Sequence, residues 1–293
     1  MNDNKWLIDF SNNTYSGDGE DGIIEKVLSL IPGKNNWCVE FGAWDGLFLT
    51  NTRNLIENHC YKAVLIEGNE SRYSDLRKNY YENDKVVTIN ELVGFSEDHN
   101  LDHILSKTLI PIDYDLLSID IDGNDYHVWA AVEKDNPKIV LIEYNPTIPS
   151  HVEFVQKPDP NVKHGASIMS LYNLGKKKGY ELICITEINA IFVRKEFYSL
   201  FGISCNEPHC LRLNDDKVTH FFIGYDGTIF LRGPKHLFWH GVGFDEKDVQ
   251  VLPSLFRDFP ENFSFFRKLL WGIYRWPRKL RRSIKKRLKY INS

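Results

Sequence analysis

The sequence predicts a doubly wound α/β domain on a mostly parallel seven-stranded sheet, followed by two smaller parts. Two observations lead there. Strand-like and helix-like segments alternate through the first two-thirds of the chain, the rhythm of a parallel sheet with crossover helices. Several strand-like segments are also unbroken apolar runs, such as Ala63-Val64-Leu65-Ile66 and Ile139-Val140-Leu141-Ile142, which suits strands covered on both faces. In order, a helical pattern at Gly22–Ile31 leads to a strand at Trp37–Phe41. A helix at Leu47–Asn58 leads to a strand at Ala63–Glu67, and a helix at Ser71–Tyr81 to a strand at Val86–Asn90. Strands at Asp115–Asp120 and Ile139–Glu143 flank a helix at Tyr126–Glu133. A helix at Ser167–Lys178 precedes two strands, Tyr180–Thr186 and Ala190–Arg194, whose short connection predicts an antiparallel hairpin on the sheet edge. After Lys195 the rhythm stops. The expected organisation is a sheet domain over residues 1–196, an appendage over 197–262 with a hairpin at its Asp226-Gly227 turn, and a helical tail over 263–293 broken at Pro277.

Composition bounds the rest. Hydrophobic residues make up 42% of 293 positions, enough for a sizeable core. Five scattered cysteines, Cys38, Cys60, Cys184, Cys205 and Cys210, contain no CxxC pair and predict neither a disulfide framework nor a structural zinc site. Residues 1–16 are polar, unlike a secretory leader, and no 18-residue apolar stretch predicts a membrane span. The net charge of -4 conceals a segregation: from Arg267 to Ser293 there are 11 Lys or Arg and no Asp or Glu, while the preceding residues hold 25 basic and 40 acidic side chains. A basic tail on an acidic body points to an anionic partner.

In an open parallel sheet, ligands bind beyond the carboxyl ends of the strands. After the first strand stands Glu40-Phe41-Gly42-Ala43-Trp44-Asp45-Gly46. Gly42 and Gly46 permit a tight turn, but the spacing is GxxxG rather than the GxGxxG of a dinucleotide fold. Glu40 and Asp45 would repel a pyrophosphate and attract a cation. At the end of the second strand, Glu67 can accept hydrogen bonds from both ribose hydroxyls. Together these features describe an adenosine bearing positive charge, as in S-adenosylmethionine. The fourth strand ends in Asp120, Asp122 and Asp125, and the fifth in Glu143. Asp120, Asp122 and Glu143 form a candidate oxygen-rich set for Mg²⁺ or another divalent cation. Asp120 and Asp122 are also candidate bases, as are His127 at the start of the next helix and His164 in the long segment 144–167, which is expected to cover the site and meet the acceptor.

Glu40–Gly46 resembles the glycine-rich first motif of class I methyltransferases, and Glu67 their ribose-binding acid. Leu117-Ser118-Ile119-Asp120-Ile121-Asp122-Gly123-Asn124-Asp125 resembles the fourth-strand motif of FkbM-type methyltransferases, and Gly19-Glu20-Asp21-Gly22 is similar to a segment preceding the first strand in that family. The resemblance covers roughly residues 16–195. It implies a Rossmann-like fold, S-adenosylmethionine as methyl donor with Glu20, Asp21 and Asp120 joining the cofactor contacts, and usually O-methylation. In some related sugar O-methyltransferases it also implies a metal.

The tail shows apolar residues Leu280, Ile284, Leu288 and Ile291 on one helical face with Lys and Arg on the other, after Phe265, Phe266, Leu269, Leu270, Ile273 and Trp276. Such a helix suits an anionic membrane surface better than nucleic acid, whose phosphates the acidic body would repel. The expectation is therefore a cytoplasmic O-methyltransferase, peripheral at the inner face of the membrane. Its acceptor would be a saccharide or glycolipid of cell-surface glycan synthesis. The rival expectations are a Rossmann enzyme using a nicotinamide or sugar nucleotide, and a non-catalytic membrane-associated scaffold.

Overall fold

The computed structural model describes residues 4–277. The chain divides into two compact units, Met1–Asp215 and Asp216–Ser293. The first thus runs past position 196, through a 3-10 turn at Lys195–Phe201 and a short helix at Pro208–Leu211.

The first unit is a seven-stranded, mostly parallel sheet with the Rossmann-like winding the sequence predicts. Its strands are β1 (Trp37–Phe41), β2 (Lys62–Ile66), β3 (Val86–Ile89), β4 (Leu116–Ile119), β5 (Ile139–Glu143), β6 (Tyr180–Ile185) and β7 (Asn189–Arg194). The spatial order is β3-β2-β1-β4-β5-β7-β6. The pairs from β3 through β5 are parallel, with Val39 opposite Val64 and Leu117, whereas β7 runs antiparallel to both β5 and β6. The expected hairpin is present and turns inward, with β7 against β5 and β6 at the edge. The winding order of the sheet reverses between the parallel neighbours β1 and β4, so the ends of β1, β2, β4 and β5 line one crevice.

The helices of this unit are α1 (Glu20–Leu30), α2 (Arg53–His59), α3 (Glu70–Asn79), α4 (Leu101–Leu105), α5 (Asp125–Ala131) and α6 (Ile168–Lys177). Ile23, Ile24, Val27 and Leu28 form the buried face of α1, at the spacing that keeps side chains on one side of a helix. The Ser167 hydroxyl caps α6 by accepting from Ser170 N–H. Gly175 lets α6 approach the sheet, since a Cβ there would stand 2.8 Å from the Phe192 ring. The sheet interior is dry: Val64, Leu65, Leu117, Leu141 and Ile142 are fully buried. Each such side chain contributes roughly 1.5–3 kcal/mol of burial. In the second unit β8 (His220–Ile223) and β9 (Ile229–Arg232) form the expected hairpin around Asp226-Gly227. Residues 265–277 are helical. The helix expected from Arg278 to Ile291 lies outside the described residues.

One expectation is overturned. Cys205 and Cys210 form a disulfide. Proline at the first position of Pro208–Leu211 starts a helical turn that brings the two sulfurs together, five residues apart in sequence. Cys38 and Cys184 are buried thiols, and Cys60 is exposed.

Candidate functional site

The turn after β1 is shaped by two close approaches. Gly42 has φ 76°, and a Cβ there would lie 1.8 Å from the carbonyl oxygen of Asp120, so the β1 turn can pass the β4 end only as glycine. Gly46, at φ 73°, packs against Leu76 of α3 and Tyr80 just after it. Between them Trp44 adopts φ 51°, a left-handed conformation costly for a bulky residue. Its N–H donates to Glu67 Oε2 at 2.9 Å, and its ring takes the Arg72 guanidinium at 3.4 Å.

The predicted cofactor residues fall into two groups. Glu67 stands at the mouth of the crevice directly after β2, 6% exposed, with its other oxygen accepting from Asn69 N–H at 2.7 Å. Each carboxylate oxygen still has acceptor capacity, and both are held in place. Glu40, Asp45, Asp21 and Glu20 make contacts that hold the framework, and Asp120 stands in the acid cluster described below. Glu40 is buried; it accepts from the Thr50 hydroxyl, from Thr52 Oγ1 at 2.5 Å and from Asn51 N–H at 2.9 Å, so it folds the chain ahead of α2 onto β1. Burial raises its pKa, and the threonine hydroxyls counter part of that rise. Asp45 accepts from the N–H groups of Leu47 and Phe48. Asp21 accepts from Thr14, Tyr15 and Ser16 N–H, pinning the loop before α1. Glu20 bridges α1 to the β6–β7 hairpin through Thr186 Oγ1 (2.8 Å) and Asn189 Nδ2 (3.0 Å).

At the ends of β4 and β5 the acids face each other. Asp120, Asp122 and Glu143 each offer an oxygen within 4.8 Å of the others. Asp125 caps the turn, accepting from Ile121 N–H (2.9 Å) and Gly123 N–H (2.8 Å). Burial, then Asp125 and Asp122, lifts the Asp120 carboxyl to about 7. Burial and the same neighbourhood, Asp120 first, push Glu143 further up. Burial also raises Asp125, against the pull of its two backbone donors. Asp122, at φ 56° and largely exposed, meets Lys163 Nζ at 3.6 Å. Three carboxylates at this spacing fit a hard divalent cation.

Beside this cluster is a cavity of about 430 Å³, within the range of small-molecule sites, lined by Asn145, Ile148, Val152, Phe154, Lys163 and His164. All six belong to the segment 144–167. His164 therefore lies in the cavity wall. His127 is engaged elsewhere: its Nε2 meets the Gln156 carbonyl at 2.8 Å, so that nitrogen carries the proton and His127 anchors the cavity loop. Gln156 is the hub that sequence reasoning missed. Its Oε1 accepts from His164 and Gly165 N–H, and its Nε2 donates to the Val162 carbonyl. A lone glutamine in a long loop gives no sequence signal of that role, since its burial shows only in the structure. Lys163 and Asn145 were also missed, since a single lysine or asparagine in a loop carries no pattern.

No protein-family model matches the chain, and no curated protein matches it significantly. The FkbM-type assignment thus finds no support there. Similar solved structures are S-adenosylmethionine-dependent proteins. The N-terminal domain of EvdMO1, solved with SAH bound, is 12% identical at a TM-score of 0.38, covering 59% of this chain and 79% of its own. The glycopeptide N-methyltransferase MtfA, complexed with S-adenosyl-L-methionine, is 8% identical at a TM-score of 0.34, covering 58% and 85%. A SAM-dependent methyltransferase from Aquifex aeolicus is 10% identical at a TM-score of 0.36, covering 66% and 97%. At these identities and scores the likenesses carry no argument about the chemistry of this chain.

Proposed function

We propose that the chain binds S-adenosylmethionine at the ends of β1 and β2 and transfers its methyl group to a hydroxyl of a saccharide held in the 144–167 cavity. The observation that carries this reading is the fixed, nearly buried Glu67 carboxylate at the β2 end, beside a glycine turn that offers no phosphate-binding helix start. Such a site favours a ribose diol and disfavours a pyrophosphate. When bound, the cofactor supplies a methyl group on a cationic sulfur.

The chain's own groups do the remaining work. Glu67 accepts from the ribose hydroxyls, its orientation kept by Trp44 and Asn69 N–H. Asp120, with its pKa lifted to about 7, is poised to take the acceptor's hydroxyl proton near neutral pH. The acceptor oxygen then forms the bond to the methyl carbon as the carbon–sulfur bond breaks. Where a divalent cation is bound instead, Asp120, Asp122 and Glu143 would hold it, and it would lower the pKa of that hydroxyl in place of the proton-accepting role of Asp120. The half-exposed Phe154 ring gives a sugar face something to stack on, and Asn145, Lys163 and His164 supply polar partners. Synthesis of a cell-surface glycan is the setting we infer.

Calorimetry with S-adenosylhomocysteine, NAD and UDP-glucose tests the cofactor reading. Binding of the first alone is expected. Binding of NAD or UDP-glucose in its place would overturn it. Mass spectrometry of the surface glycan with and without the protein then tests the acceptor, with loss of one methyl increment expected. An unchanged glycan would overturn the saccharide assignment.

A further inference from the structure

The helix over 265–277 is docked by one face and bare on the other. At about 100° per residue, Arg267, Trp271 and Tyr274 fall on one side. There Trp271 and Tyr274 pack on Phe256, with ring centroids 5.2 Å and 5.1 Å away, Tyr274 OH donates to the Val251 carbonyl at 2.6 Å, and Arg267 pairs with Asp258. On the opposite arc lie Phe265, Phe266, Leu269, Ile273 and Trp276, between 56% and 88% exposed. Five large apolar side chains bare on one helical face form a surface that water does not stabilise. The chain continues from this helix into residues 278–293, which carry eight Lys or Arg and no Asp or Glu.

We infer that the bare face of helix 265–277 docks on an anionic lipid surface, its apolar side chains entering the headgroup boundary while the adjoining basic segment meets the lipid phosphates. Charge chooses the occupant. A second copy of the chain would bring two strongly basic segments together at the contact, which like-charge repulsion opposes. A nucleic acid would use the basic residues and leave the aromatic face bare, and the acidic remainder of the chain would repel it. Anionic lipid matches both features at once. The thirteen described helical residues reach about 20 Å, and among the described residues no helix is long and apolar enough to cross a membrane. This inference does not rest on the proposed chemistry and stands or falls separately.

Vesicle flotation of the full-length chain tests it, with phosphatidylcholine vesicles with and without phosphatidylglycerol. The intact chain is expected to bind the anionic vesicles roughly tenfold or more over the neutral ones. A Phe266→Ser, Ile273→Ser, Trp276→Ser triple variant changes only the bare face and should keep the thermal midpoint. It should lose anionic vesicle binding roughly tenfold. A Lys285→Gln, Lys286→Gln, Arg287→Gln variant should lose most of the preference for phosphatidylglycerol. The inference would be overturned by no binding of the intact chain to anionic vesicles, by undiminished binding of the serine variant, or by a serine variant that only turns an oligomer into a monomer. Duplex DNA that displaces the vesicles and still binds the serine variant would overturn it in favour of nucleic acid.

Discussion

Strand β4 has an aspartate at each end, and the two stand in opposite surroundings. Asp115, just before the strand, is fully buried and meets Lys138 Nζ at 2.7 Å, with Asn35 and Asn36 N–H completing its shell. Asp120, just after the strand, faces Asp122, Asp125 and Glu143 and is lifted toward neutrality. One end of the sheet neutralises its acid, and the other gathers acids. On the proposed function the difference separates a framework charge from a working one: matched partners stabilise the fold, whereas crowded like charges are a place to hold a proton or a cation.

The largest expected effect is at the framework end. Lys138→Met leaves the Asp115 carboxylate buried without its cation, and unfolding by denaturant should show a loss of about 3–5 kcal/mol. Adding Asp115→Asn should recover much of that loss. If Lys138→Met were neutral, the contrast between the two ends would fail. The next effect is at the other end. Asp120→Asn should lower methyl transfer about 10²–10³-fold while leaving stability at pH 8 equal or higher, because it relieves repulsion. A large stability loss without loss of turnover would make Asp120 another framework acid.

The acid cluster also predicts a pH-dependent response to cations. The folded pKa of Asp120, about 7, lies above its ordinary value of 3.8, so folding takes up protons between those values. The stability this contributes is present at low pH and lost as pH rises through about 7. A divalent cation competes with those protons. A fixed Mg²⁺ concentration at a hundredfold excess over its Kd at pH 8 should therefore add about 2.7 kcal/mol at pH 8 and far less at pH 5, read from thermal midpoints. Equal shifts at both pH values, or a shift surviving Asp120→Asn with Asp122→Asn, would remove the metal from the scheme.

Which acids work and which hold the frame was legible only in part. The strands were plain, because fully buried runs such as Ile139-Val140-Leu141-Ile142 leave no other reading, and β1 and β5 fall where the pattern puts them. The start of α2 was not. Apolar periodicity suggests a helix from Leu47, yet the helix begins at Arg53, because Thr50, Asn51 and Thr52 turn back to serve the Glu40 carboxylate. The Thr-Asn-Thr run was the signal, but its meaning depends on a residue ten positions away. Helix α4 is too short for periodicity to show, with only its Asn100 cap as a mark. The disulfide needed the turn at Pro208 to be seen. That Asp120, Asp122 and Glu143 would stand together was legible because parallel neighbours end side by side. The separate duties of Glu40, Asp45 and Glu67 were not, since three glutamates and aspartates after two strands look alike until their partners are known.

Glu67 is where that ambiguity can be resolved by experiment, with the smallest change. Its two oxygens already accept from Trp44 and Asn69 N–H, so Glu67→Gln places an amide donor against one of two backbone donors. That mismatch should cost about 1–2 kcal/mol in the cofactor-free protein, visible as a lower thermal midpoint. If Glu67 also receives the ribose, affinity for S-adenosylhomocysteine should fall further, by roughly tenfold, in calorimetry on the folded variant. Glu40→Gln, which perturbs only the loop over β1, should destabilise the fold and leave the affinity of the folded fraction nearly unchanged. An affinity loss as large for Glu40→Gln as for Glu67→Gln would mean that the crevice reads both carboxylates alike, and the division between holding and binding acids would have to be redrawn.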